Sequence, residues 1–298
     1  MSRQAIGVLG IVIMFVMLAL GMPIAFVMAL VGFAGTFLLT GFTSGFNALG
    51  LIPYATVLNW LWVCIPMFIL MGSFAGQAGI SRMSFDAANK WLGRLPGGLG
   101  MATTVACGAF AACSGSSTAA AVTMANVCIP EMDRHNYDKS FSAGCVAAGG
   151  TIGILIPPSI NMIVYAQITE VSIGKMFAAG VIPGILEIIV YCLVIWIIAT
   201  RKPLLAPRAE SFPIGQMIRS LAGLVPVIIL FGIVMGGIYT GVFTPTEAGG
   251  LGAFAAFVMA LLMGKLKWKN LTSSWRYPVS PLCWGTLSSG LSCRRWQL

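Results

Sequence analysis

Apolar residues along this chain do not alternate with polar ones. They run in blocks of about 20, the length a helix needs to cross a bilayer. The first two blocks are residues 5–20 and 23–39, parted by Gly21-Met22, with Pro23 suited to a first helical turn. Residues 41–53 are more polar and read as a turn-rich link. The run 54–80 is apolar but interrupted at Ile65-Pro66, and admits two readings: a kinked crossing, or a re-entrant hairpin with its tip near residues 64–67. A loop or surface helix follows at 81–96. The runs 97–129 and 141–165 are each broken near the middle, the first at Ser114-Gly115-Ser116-Ser117, the second around Gly153 and Pro157-Pro158. Between them lies the charged connection 130–140. A further block at 176–199, a basic linker at 201–219, and two last blocks at 221–239 and 245–263 complete the pattern.

Composition settles the class. Of 298 residues, 58% are hydrophobic and 8% charged, against roughly 25% charged in a soluble chain. Short alternating strands spaced by hairpin turns are lacking, which argues against an outer-membrane barrel. The expected fold is all-α: a polytopic helical membrane protein with broken helices and a re-entrant hairpin. The net charge of +9 comes mostly from short loops between apolar blocks, so it reads as membrane topology and not as a nucleic-acid patch. The linker 201–219 and Lys265, Lys267 and Lys269 belong on the cytoplasmic side by that rule, and the basic loop 81–96 fits this assignment poorly. The eight cysteines lie mostly in apolar runs without a CxxC, so they read as small buried hydrophobes.

The two breaks carry the candidate chemistry. A break in a membrane helix bares backbone groups that lipid cannot satisfy, and survives where it faces protein or a watery cavity. The hydroxyls of Ser114, Ser116 and Ser117, with the carbonyls of an unwound turn, suit sodium, a hard cation that takes oxygen ligands. Helix N-termini at the breaks would favour a substrate carboxylate. The same small residues also allow close helix crossing. Glu187 lies inside an apolar block with no partner evident in sequence, which leaves a proton-linked role open. Thr244-Pro245-Thr246-Glu247 reads as a capping box. Serine hydrolysis is disfavoured, because the only histidine, His135, sits in the charged connection. No GK[ST] phosphate loop is present, so ATP hydrolysis by this chain is not expected.

Residues 224–238 and 246–263 echo the first pair of blocks, and five crossings between the starts of the two pairs would make the second copy inverted. Taken in order, FAACSGSSTAAAVTM, IPEMDRHNYDKSFSAG, AAGGTIGILIPPSINMIVYA and GVFTPTEAGG closely resemble the large membrane subunit (DctM type) of tripartite ATP-independent periplasmic (TRAP) transporters. The resemblance covers roughly residues 5–270. It implies an inverted-repeat, elevator-type, sodium-coupled importer of an organic acid such as a C4-dicarboxylate, not an enzyme, in a bacterial inner membrane. The implied partners are a small membrane subunit (DctQ type) and a periplasmic binding protein (DctP type) that delivers the carboxylate; no cofactor is implied beyond the coupling ion. Carried over, the ion and substrate candidates are Ser114, Gly115, Ser116 and Ser117, with Gly153 and Pro157 at the facing break. The expected organisation is scaffold helices at 1–53, hairpin and broken transport helices at 54–200, second-repeat scaffold helices at 201–270, and an atypical tail at 271–298. Because the family continues where this tail begins, the tail reads as a truncation or frameshift. The alternatives are a non-transporting membrane remnant and a proton-coupled carboxylate transporter.

Overall fold

A computed structural model describes residues 3–207 and 212–265. The expected atypical tail at 271–298 therefore lies outside the described residues. Among those residues the secondary structure is helical, without a strand. Four helices are long and apolar enough to cross a membrane: Trp60–Gln77, Ile173–Arg201, Ile214–Tyr239 and Pro245–Leu262. The chain separates into two compact units, the first ending at Trp62 and the second beginning at Val63.

In the first unit, α1 (Arg3–Ala19), α2 (Ile24–Thr40) and α3 (Phe42–Leu58) follow one another with tight turns. The helix α3 corrects the expectation of a turn-rich link at 41–53. Pro53 sits inside it, and Phe42 and Phe46 stack against Phe37 and Phe33 of α2 at ring-centroid distances of 5.4 and 6.1 Å. Aromatic packing there outweighs the weak helix propensity of the Gly, Ser and Pro positions.

The second unit is built from α4 (Cys64–Gln77), α5 (Ile80–Leu92), α6 (Gly98–Ser114), α7 (Ser117–Arg134), α8 (Lys139–Thr151), α9 (Ile160–Ile168), α10 (Ile173–Arg201), α11 (Ile214–Ser220), α12 (Val225–Phe231), α13 (Gly237–Tyr239) and α14 (Pro245–Leu262). The last three short helices before α14 belong to one continuous helical run, which contains a π turn at Gly232–Gly236. α4 and α14 lie side by side and parallel: a methyl on Gly249 would meet Met67 Cβ at 3.2 Å, and the rings of Phe74 and Phe257 stand 5.4 Å apart.

Of the two readings of residues 54–80, the structure fits an uninterrupted helix across Ile65-Pro66. Residues 64–67 open α4 within the unbroken helical run Trp60–Gln77, so no tip forms there. The chain instead turns back at Ser114–Ser117. Thr103 Oγ1, early in α6, lies 3.7 Å from Met132 Sδ, late in α7. The Leu99 N–H, at the start of α6, donates to Tyr137 Oη just beyond α7 at 3.3 Å. α6 and α7 are therefore antiparallel arms of one hairpin, where a single crossing was expected at 97–129.

The hairpin also brings the loop 81–96 to the same end of this unit as the other basic segments. Three contacts gather the basic segments at one end of this unit. Besides Leu99 with Tyr137, the Trp91 indole donates to Met217 O at 3.1 Å, and the Asp138 N–H donates to Leu205 O at 3.0 Å. Arg82, Lys90, Arg94, Arg134, Lys139, Arg201, Lys202 and Arg219 all lie on these segments. The opposite end, where α9 passes into α10, carries Glu170 and Lys175. The flanks of α10 between the two ends expose Ile182, Leu186, Ile189 and Leu193. An apolar flank of this extent is the signature of a lipid-facing surface.

Candidate functional site

The hairpin tip is shaped by residue chemistry. α6 stops because Gly115 adopts a left-handed conformation (φ 64°), its N–H bonding back to Ala111 O. A glycine there costs no Cβ strain. α7 restarts at Ser116, an N-cap whose hydroxyl accepts from the Ala119 N–H at 3.4 Å and shares a hydrogen bond with Thr118 Oγ1 at 3.1 Å. The buried Ser114 hydroxyl donates to Ser116 O at 3.4 Å.

The second break is wider. α8 ends at Thr151, a single 3₁₀ turn covers Ile152–Ile154, and the Pro157–Pro158 peptide is cis before α9 begins at Ile160. The two breaks are joined directly: the Ile160 N–H donates to Gly115 O at 2.9 Å. A methyl on Gly115 would lie 3.2 Å from Pro158 O, and one on Gly153 would lie 3.0 Å from Ser117 Cα. α4 closes the third side, since a methyl on Gly72 would stand 2.6 Å from Ser114 Cα. Ser114, Gly115, Ser116, Ser117, Gly153 and Pro157, chosen from sequence, thus lie around one junction.

The structure adds Ser159, between two residues that touch Gly115. It occupies the N-cap position of α9 yet makes no capping bond, and its hydroxyl is buried without a hydrogen-bond partner. Such a group is costly unless something pairs with it. The sequence signal was available, since a serine directly before an apolar helical run is an N-cap pattern, but the preceding prolines masked it. Gly72 was missed as well, because nothing local marks a helix that will meet a distant tip.

Three further readings resolve here. Thr244 and Glu247 form the expected capping box, with the Thr244 N–H donating to Glu247 Oε2 at 2.8 Å. Glu187, without a partner in sequence, accepts from the Thr151 hydroxyl, which also shares a hydrogen bond with Tyr191 Oη. His135 caps the far end of α7 from Ser116, a separation of about 27 Å along an 18-residue helix, too far to serve as a base. The six described cysteines are all free, and no group of His, Cys, Asp and Glu suited to a metal occurs among the described residues.

A helical, multi-pass membrane protein with a helical hairpin whose tip meets a broken helix has the architecture of a secondary transporter. Comparison with known proteins makes this specific. The family model described as the tripartite ATP-independent periplasmic transporter, DctM component, matches residues 11–284. The chain is 41% identical over 213 residues to the C4-dicarboxylate TRAP transporter large permease protein DctM of Pseudomonas aeruginosa, covering 71% of this chain and 49% of that one. It is 33% identical over 259 residues to the protein of the same name from Rhodobacter capsulatus, covering 82% and 58%. It is 35% identical over 246 residues to the 2,3-diketo-L-gulonate TRAP transporter large permease protein YiaN of Escherichia coli, covering 83% and 57%. The chain belongs to the DctM family of TRAP transporter permeases, a family of transporters and not of enzymes. It spans about half the length of these curated relatives.

Proposed function

We propose that this chain supplies the first half of a sodium and carboxylate site in the large permease subunit of a TRAP transporter, in a bacterial inner membrane, that imports an organic acid. The observation that carries the reading is the Ile160 N–H to Gly115 O bond, which ties the two breaks together beside the unpaired Ser159 hydroxyl. The relatives named for C4-dicarboxylate and for 2,3-diketo-L-gulonate favour a carboxylate substrate, with the four-carbon dicarboxylates first.

The chemistry supports coupling. The junction offers hydroxyls from Ser114, Ser117 and Ser159, and the hairpin tip and the segment from Ile152 to Ser159 contain no Asp or Glu. Neutral oxygens ligate sodium but do not cancel its charge, which is expensive at membrane depth. An anionic substrate close by would cancel it. The N-terminus of α7 points unpaired amide N–H groups out of the same tip and favours a carboxylate. Sodium and substrate then each raise the other's affinity, the thermodynamic requirement for symport. Lys and Arg gathered at the other end of the hairpin arms place that end in the cytoplasm by the positive-inside rule, so the tip enters the membrane from that side. A small membrane subunit and a periplasmic binding protein complete the transporter in this reading; the DctMQ relative, an isethionate TRAP transporter permease protein of Oleidesulfovibrio alaskensis, supports the pairing.

The test is uptake of labelled succinate into proteoliposomes holding a full-length family permease with these residues, its small subunit and its binding protein. Uptake that requires an inward sodium gradient, and falls when Ser117 is replaced by valine, is expected. Uptake that is indifferent to sodium overturns the reading.

A further inference from the structure

Glu187 is the only charged residue of α10 between Lys175 and Arg201, and a carboxyl inside such a span calls for a function. Gly180, Gly184, Glu187 and Tyr191 recur at spacings of four, three and four, so they share one face of the helix. This face lies along the end of α8 and the irregular segment after it. A methyl on Gly180 would meet Leu155 O at 2.5 Å, and one on Gly184 would meet Ile156 Cγ1 at 2.9 Å. Further along, Glu187 Oε1 and Tyr191 Oη lie 2.9 and 3.1 Å from Thr151 Oγ1. Thr151 is the last residue of α8, immediately before the 3₁₀ turn that presents Gly153 to Ser117.

The hydrogen count around Thr151 defines what the rung needs. Its hydroxyl has one hydrogen and two lone pairs, and its nearest oxygen is Ala148 O at 2.7 Å. That hydrogen is shared between Ala148 O and Glu187 Oε1, and a lone pair accepts from Tyr191 Oη. Position 187 therefore supplies an acceptor, which a carboxyl or an amide oxygen provides. Glu187 Oε2 is buried with no hydrogen-bond partner.

We propose that Glu187 is a positioning residue: its hydrogen bond to Thr151 latches the end of α8 to α10, fixes the backbone of residues 152–159, and thereby sets the affinity of the ion site. The last clause rests on the sodium reading above; the latch does not.

Hydrogen exchange followed by mass spectrometry, on this chain in lipid nanodiscs without sodium, tests the latch. A net hydrogen bond of about 0.5–1.5 kcal/mol corresponds to roughly two- to twelvefold in opening. Glu187→Ala is expected to speed exchange at residues 152–156 by that factor, and Thr151→Val by that factor or more. The double variant goes no further than Thr151→Val, which already removes the Glu187 bond together with those to Ala148 and Tyr191. Amides of α6 at 101–107 serve as the internal reference and stay unchanged, which excludes general unfolding. Glu187→Gln keeps exchange within about twofold of the parent, because its amide oxygen accepts from Thr151. Unchanged exchange in Glu187→Ala, or a Gln variant as fast as the Ala variant, overturns the latch. A sodium titration of the same variants separates the two ideas. If sodium slows exchange at 114–119 in the parent, Glu187→Ala shifts the midpoint to higher sodium and Glu187→Gln does not. A parent indifferent to sodium refutes the ion-site reading and leaves the latch to be decided by the sodium-free comparison.

Discussion

A methyl group at position 72 would stand 2.6 Å from Ser114 Cα, 2.9 Å from Ser114 O and 3.0 Å from Ser114 Cβ. Carbon atoms pack best at about 3.5–4.0 Å, so Gly72→Ala forces α4 and the hairpin tip apart by roughly 1 Å. The obstructing atoms are backbone and cannot swing aside. Overpacking of this kind costs about 1–3 kcal/mol. Against it stands the gain of about 0.5–1 kcal/mol from replacing a helical glycine by alanine. Gly76→Ala, one turn along the same helix, isolates the two effects. Its nearest obstruction is Phe110 Cζ at 3.7 Å, ordinary contact, so it collects the propensity gain alone. Thermal unfolding in nanodiscs, followed by circular dichroism, is expected to place Gly76→Ala at or above the parent. Gly72→Ala should fall about 1–3 kcal/mol below Gly76→Ala. Equal stability of the two alanine variants would show that the tip is not seated on α4.

Other consequences follow from the basic end of the second unit and from α14. Tyr137 accepts the Leu99 N–H in a buried setting, and burial pushes its hydroxyl from 10.0 up to about 12, partly opposed by that bond. Since the neutral form is favoured in the folded state, this contribution is complete below pH 10 and is lost as pH rises toward 12. Tyr137→Phe strands the Leu99 N–H, costs about 1–3 kcal/mol, and flattens the alkaline limb of a stability–pH curve; an unchanged limb refutes the assignment. Thr244→Ala removes the hydroxyl half of the capping box on α14 and should cost about 0.5–2 kcal/mol in unfolding titrations. Thr244→Ser should retain most of that stability, and a Ser variant as unstable as the Ala variant contradicts the capping role.

The breaks were legible in sequence because Ser-Gly-Ser-Ser and Pro-Pro inside apolar runs are locally costly in a membrane helix, and cost points to a reason. What the chain does after a break was not legible. The apolar period on either side of Gly115 is the same whether α7 continues across the membrane or doubles back along α6. That choice is made by contacts such as Thr103 with Met132, between residues far apart in the chain. The same limit left residues 54–80 open between a kinked crossing and a re-entrant hairpin; Pro66 is accommodated within the first turn of α4. α3 was hidden by its Gly, Ser and Pro content and is restored by aromatic packing on α2. Glu187 was conspicuous, yet its partner Thr151 lies in another helix and carries no local mark. Ser159 follows the Pro157-Pro158 break without a mark of its own, and only burial without a partner sets it apart.

Ser159 also provides the most direct test of the central claim, that the hairpin tip and the second break together hold a cation. In choline chloride, where no sodium is bound, Ser159→Ala removes a buried hydroxyl that has no partner, so stability in nanodiscs should be unchanged or higher. In sodium chloride at a concentration one hundredfold above the dissociation constant, the parent should gain about 2.7 kcal/mol. The variant should lose most of that increment, so that the substitution changes sign between the two salts. Equal stability of the parent in sodium and in choline, or an increment retained in full by Ser159→Ala, would contradict the account.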